Sequence, residues 1–232
     1  GKAGNSNIGG NRRFAYISTI VNTGSYRWGT DAEIYRLGRS EGEIGVNNLT
    51  WETVTKMNAG IDLGLWNGSV NLVVDVLKEK RDDIFLQRKN VPGSAGFNRP
   101  VWANYGKVDN QGFDVSLNVN HKFNSDWAIS AMANYTYAHN KVVEIDEPAA
   151  ILGTYRSQTG KPVGQLFGLI AERLFTEDDF DENGMLKEGI PAQKFSDMSN
   201  LRPGDIKYKD LNGDGEVTAV DATAIGGTRI PE

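Results

Sequence analysis

The chain has 232 residues, a formal net charge of −5 and no cysteine. It is long enough for one large or two modest domains, has no disulfide scaffold or thiolate metal site, and lacks the basic balance of a nucleic-acid binder. Glycine is abundant at 27 residues, and no run of eighteen apolar residues exists, so any membrane crossing would have to be made by strands.

The first segment, 1–51, opens with GKAGNSNIGGNRR, which has no apolar signal-peptide core. GKAGN and NIGGN lack the Lys-Ser ending of a phosphate loop and read as loop glycines. The segment is expected to be a long loop region carrying Tyr26, Trp28 and Trp51. Strict alternation begins at Glu52. Met57, Ala59, Ile61, Leu63 and Leu65 share one face, and Lys56, Asn58, Gly60, Asp62 and Gly64 the other. Asn67-Gly68 is a strong hairpin signal, and the chain returns through Val70, Leu72, Val74 and Val76. A hairpin is therefore predicted over 52–80, with Val73 and Leu77 as impurities on its polar face.

A second long connection, 81–111, holds Trp102 and Tyr105. A second hairpin is predicted over 112–141. Phe113, Val115, Leu117 and Val119 alternate with Asp114, Ser116, Asn118 and Asn120 before a turn at 124–126. Trp127, Ile129, Ala131, Ala133, Tyr135 and Tyr137 then share a face, with aromatics near both ends, as in the two girdles of a membrane barrel. Met57, Ile61, Leu63, Val70, Leu72, Val74, Val115, Leu117, Ile129 and Tyr135 are expected to face lipid. The exposed aromatics Tyr26, Trp28, Trp51, Trp102 and Tyr105 are candidates for stacking on a ligand or docking a partner; packing of the loops on themselves is the other use for them.

The last segment, 142–232, is read as a long external loop region. Its acidic run TEDDFDENG at 176–184 has carboxylates enough for a glycosidase pair but fits a solvated loop better. With His121 and His139 alone, neither a triad nor a zinc site is apparent. DLNGDGEVTAVD at 210–221 matches the spacing of an EF-hand loop. Asp210, Asn212 and Asp214 would supply side-chain oxygens, Glu216 its main-chain carbonyl, Thr218 a water-bridged contact, and Asp221 the closing ligand. Calcium is the ion expected, with magnesium as the alternative, because aspartate is short for a bidentate closing ligand. The bland reading is an Asx- and Gly-rich turn. IKYK before the loop reads as extended, and AVDATAI after it as a short exit helix stopped by Gly226-Gly227.

Very short turns alternating with very long connections suit a transmembrane barrel, whereas a soluble sandwich would pack the same apolar faces on each other. Six ordered stretches add a resemblance: GKAGNSNIGGNRRFAY, NLTWETVTKMNAGIDLGLWNG, VVDVLKEKRDDIF, YGKVDNQGFDVSLN, GKPVGQLFGLIAERLFTEDDF and RPGDIKYKDLNGDGEVTAVDATAIG. Together they resemble part of a SusC/RagA-type TonB-dependent outer-membrane transporter. The resemblance implies a large barrel in the outer membrane of a Gram-negative bacterium, in contact with membrane lipid. It also implies a SusD-like lipoprotein partner, energy from TonB through a plug region, and import of oligosaccharides or peptides rather than catalysis. Plug sequence, TonB box and a final strand ending in an aromatic are not seen here. The expectation is an all-β segment of one barrel, with antiparallel hairpins and long extracellular loops, stopping at RIPE where a further strand is due. A secreted β-sandwich binding module with a dockerin-like calcium loop is the alternative.

Overall fold

The computed structural model describes residues 1–5, 12–194 and 201–228, in two compact units, 1–149 and 150–231. The RIPE end lies outside the described residues.

In the first unit, β1 (Lys2–Asn5), β4 (Glu52–Leu65), β5 (Val70–Gln87), β6 (Trp102–Lys122) and β7 (Ala128–Glu144) form one antiparallel sheet in the order β1-β4-β5-β6-β7. β2 (Ile20–Trp28) and β3 (Ile34–Glu41) form a separate hairpin inside the segment expected to be loop.

Both short turns follow from local chemistry. Trp66, Asn67 and Gly68 all have positive φ, and the Ser69 amide donates to the Trp66 carbonyl at 3.1 Å. Asn67-Gly68 thereby supplies the two left-handed positions whose twist matches the strands. At the second turn the Asn124 side-chain oxygen accepts the amides of Asp126 (3.0 Å) and Trp127 (2.7 Å).

The strands outrun the expected bounds. β5 continues to Gln87 and β6 starts at Trp102, so the connection expected over 81–111 is only 88–101. The extension passes a bulge, where the pairing slips between Arg81 and Ile84 and Asp83 takes φ 58°. The Asn104 side-chain amide donates to the Asp83 carbonyl at 2.8 Å and to the Thr50 carbonyl at 3.0 Å, and its oxygen accepts the Thr50 amide. One side chain thus satisfies the carbonyl at the bulge and ties it to the backbone just before β4.

The register brings the apolar residues onto one face. Leu63, Leu72, Leu117 and Ala133 form one row across four strands, Ile61, Val74, Val115 and Tyr135 the next, and Ala59, Val76, Phe113 and Tyr137 the third. These side chains are not covered: Met57 is 66% exposed, Ile61 61% and Tyr135 60%. A sandwich would have buried them under a second sheet. Among the described residues of this unit, the buried large apolar side chains are only Val54 and Val142.

The second unit, expected as loop, has its own ordered structure. β8 (Gln165–Gly168) pairs with β13 (Thr223–Thr228) and β9 (Ala171–Leu174) with β11 (Ile206–Tyr208), both antiparallel. β10 (Ala192–Gln193) pairs in parallel with β12 (Glu216–Val217). Phe175 and Phe180 pack with ring centroids 5.6 Å apart, and Val217 is fully buried. The extended reading of IKYK agrees with β11. AVDATAI does not give an exit helix: Ala219–Asp221 makes one 3-10 turn, and β13 runs on through Gly226 and Gly227.

Candidate functional site

The four long strands present two chemically opposite surfaces. On the apolar face, aromatics sit at both ends. Phe113 packs against Tyr135 and Tyr137 at 5.8 and 5.7 Å between centroids, whereas Trp66, Phe123 and Trp127 lie at the turn end, each more than two-thirds exposed. From Trp127 to Tyr137 is about 34 Å along a strand, or about 26 Å of depth at a 40° tilt, close to the ~25 Å apolar band of a barrel. Past this band the same face turns polar, through the row Thr55, Lys80, Asp109 and Lys141.

The opposite face is polar at the same depth. Its rows include Gly60, Asp75, Asp114 and Thr136, then Asp62, Val73, Ser116 and Asn134, then Gly64, Asn71, Asn118 and Met132. Asp75 and Asp114 are directly opposite, a like-charge pairing that destabilises a sheet. A Cβ on Gly60 would clash with Asp75 Oδ1. The Asp75 carboxylate therefore leans over Gly60, away from Asp114, in space that only glycine leaves open.

The 210–221 loop turns its oxygens onto its own amides. Asp210 accepts from Gly213 at 2.7 Å and Gly215 at 2.9 Å; Asn212 from Asp214 at 2.9 Å; Asp214 from Glu216 at 2.8 Å. Gly213 and Gly215 have φ of 77° and 84°, as such a curl requires. Thr218 caps the 3-10 turn by accepting the Val220 amide. Glu216 pairs with Lys194. Asp221, expected to close an ion shell, is fully buried and accepts the amides of Leu211, Asn212 and Thr218 at 2.9, 3.3 and 2.8 Å. Burial pushes its carboxyl up, but those amides outweigh burial and hold it below the usual value. Among the described residues no three Asp, Glu or His side chains converge as metal ligands.

The expected aromatic contacts divide. Tyr26 and Trp28 stand edge to face at 5.7 Å on β2, and both are exposed, as is Trp51. Trp102 is stacked on Phe85 at 5.5 Å with the Arg12 guanidinium 3.9 Å over its ring, and Tyr105 lies under Arg88 at 4.6 Å. These two are committed to packing. The acidic run is likewise occupied. Both oxygens of Asp179 accept from Arg173, at 2.5 and 2.6 Å, and Oδ2 accepts from the Thr176 amide. Arg173 first, then Thr176, hold the Asp179 carboxyl well below the ordinary carboxylate range. Asp181 accepts from Asn183 and Met185.

Sequence reasoning missed Asp146, which clamps the start of the 88–101 loop. It accepts from Arg88 Nη2 at 3.2 Å and from the amides of Lys89 and Asn90 at 2.6 and 3.0 Å. No spacing signal joins it to partners more than fifty residues away.

A sequence model of the family described as TonB dependent receptor-like, beta-barrel matches residues 13–226. The TonB-dependent receptor P39 of Formosa agariphila is 30% identical over 210 residues, covering 79% of this chain and 20% of that protein. The TonB-dependent receptor SusC of Bacteroides thetaiotaomicron is 30% identical over 145 residues, covering 62% and 14%. Two solved structures share the fold. The RagAB peptide importer in its "closed-closed" state matches with TM-score 0.58 at 19% identity, over 99% of this chain and 23% of that one. The RagAB peptide transporter matches with TM-score 0.60 at 18% identity, over 97% and 22%. The chain thus spans about a fifth or less of the length of the relatives it matches in sequence.

Proposed function

Because the chain belongs to the TonB-dependent receptor-like β-barrel family, we propose that it supplies part of the wall and outer loops of a nutrient importer in a Gram-negative outer membrane. The observation that carries this is the one-sided apolar face across β4–β7, whose large side chains are exposed over a span about one membrane deep. Open strand edges at that depth leave backbone groups unsatisfied, so this sheet acts within a closed barrel built with the rest of the polypeptide. The cargo is an oligosaccharide or a peptide, energised through TonB and received with a SusD-like lipoprotein. The solved neighbours named as RagAB peptide importers support the peptide side of this reading. The test is uptake of labelled peptides and oligosaccharides by cells with and without the full-length gene. Equal uptake in a TonB-deficient strain, or a water-soluble full-length protein, would end the reading.

The 210–221 loop is proposed to be a weak cation site on this outer region, for calcium before magnesium. Asp210, Asn212 and Asp214, each with an unused lone pair, would be the side-chain ligands. Glu216 would give its carbonyl and Thr218 a water-bridged contact. Asp221 serves the loop's amides, which removes the bidentate closing ligand and weakens the site. Calorimetric titration of the chelator-treated full-length protein decides it; no heat at millimolar calcium removes the ion.

A further inference from the structure

The connection between β5 and β6 is locally basic in an acidic chain. Residues 88–101, RKNVPGSAGFNRPV, hold Arg88, Lys89 and Arg99 and no acidic residue, in a chain whose net charge is −5. The loop has a defined shape. The Arg88 amide donates to the Val101 carbonyl at 2.8 Å, a 3-10 turn spans Gly93–Ala95, and Gly96 reverses direction at φ 73°. Asp146 pins its first residues. Closed ends and an ordered interior are the marks of a compact Ω-type loop, a kind that is frequently functional.

The loop wraps a cleft of about 470 Å³ lined by Arg88, Lys89, Arg99, Asn98 and Phe97. The three cations are not equivalent. Arg88 is spent on Asp146 and on the face of Tyr105. The nearby Lys107 and Glu144 neutralise each other. Lys89 and Arg99 are exposed and have no ion pair among the described residues. Two unneutralised cations facing one cleft repel each other, a cost that an anion between them reverses.

We propose that the 88–101 loop is an anion subsite that takes a carboxylate-bearing ligand, with Lys89 and Arg99 on the carboxylate and Phe97 against the adjoining apolar surface. Arg99 offers a planar fork that matches a carboxylate, and Lys89 a point charge beside it. The proposal rests on the importer reading only for the fate of the ligand, not for its binding. An acidic peptide and an acidic oligosaccharide share this chemistry.

The experiment uses the purified full-length protein in detergent at 50 mM salt, with calorimetry against two pairs of probes. One pair is an N-acetylated, C-amidated tri-glutamate and its tri-glutamine analogue; the other is trigalacturonate and its methyl ester. At least one acidic probe is expected to bind tenfold or more tighter than its neutral counterpart, and the preferred pair identifies the source. Lys89→Gln with Arg99→Gln should remove that preference, and 300 mM salt should weaken it several-fold. Arg88 is left unchanged because it holds the loop, and heat-modifiable migration confirms that the double variant assembles. No preference for either acid, or a preference that survives the double change, overturns the proposal. Probe uptake is scored separately: selective binding without uptake upholds the subsite and counts against the importer.

Discussion

A lysine placed at Leu117 would discriminate between the two faces most directly. Leu117 lies on the inner strand β6, between Leu72 and Ala133, in a row that falls near the middle of the apolar band. Phe113 on the same strand and Phe123 just past its end bracket it. An ammonium on the lipid face at the midplane of a barrel costs about 2–4 kcal/mol, or about 30- to 900-fold in the folding equilibrium. Two controls follow from the register. Asn118→Lys, one residue on, points to the polar face and should cost about 1 kcal/mol or less. Met57→Lys is on the apolar face but at the band edge, in the row of Lys78; its membrane cost should be about 0–1 kcal/mol, with up to about 1 kcal/mol more from the like charge of Lys78, still below that of Leu117→Lys. The assay is equilibrium urea unfolding of the full-length protein in lipid vesicles, with heat-modifiable migration in cell envelopes as a second readout. If Leu117→Lys costs no more than Asn118→Lys, the faces have been assigned wrongly. If Met57→Lys costs as much as Leu117→Lys, the band has no depth and the membrane reading fails.

Three further outcomes are expected. Asp221→Ala strips the acceptor from three amides, at about 1–3 kcal/mol for each donor left buried; amide exchange at Leu211, Asn212 and Thr218 should quicken while β4–β7 stay protected, and unchanged exchange would show that Asp221 does not latch the loop. The Asp179 carboxyl is depressed in the fold by Arg173, so its contribution is complete above the unfolded value near pH 4 and is lost as pH falls through the lower folded value; protease resistance of 171–187 should fall progressively as pH drops below about 4, and Arg173→Met should lower it at neutral pH and flatten the profile. Asp146→Ala should speed exchange at Lys89 and Asn90 without altering the 66–69 turn, and equal protection in the variant would assign the order of 88–101 to some other contact.

The two hairpins were legible in the sequence because a half-exposed strand writes its environment every second residue. Apolar side chains at 57, 59, 61, 63 and 65 have one orientation open to them, and Asn67-Gly68 sets the register that carries it to β5. The signal stops where the environment stops being two-sided. Beyond the band, residues 81–87 and 102–111 mix polar and apolar groups on both faces, as in the consecutive Ile84, Phe85 and Leu86, and the bulge at Asp83 shifts the phase, so strand reads as loop there. In β2 and β3 the apolar residues fall on both sides, Trp28 and Ile34 on one and Tyr35 and Leu37 on the other, which cancels the alternation.

The loop sites divide along the same physical line. Composition and spacing alone determined that 210–221 would curl around glycines and gather carboxylates, because Gly213 and Gly215 permit the backbone and Asx side chains bond locally. What those carboxylates bind was decided only in three dimensions. A carboxylate in a sequence has no stated partner, and the acceptor goes to whichever donor the fold brings within about 3 Å. For Asp221 these are amides up to ten residues back, for Asp179 the Arg173 fork, and for Asp146 a loop more than fifty residues away. Periodicity is a local property and survives in the sequence; the pairing of buried polar groups is a long-range one and exists only in the fold.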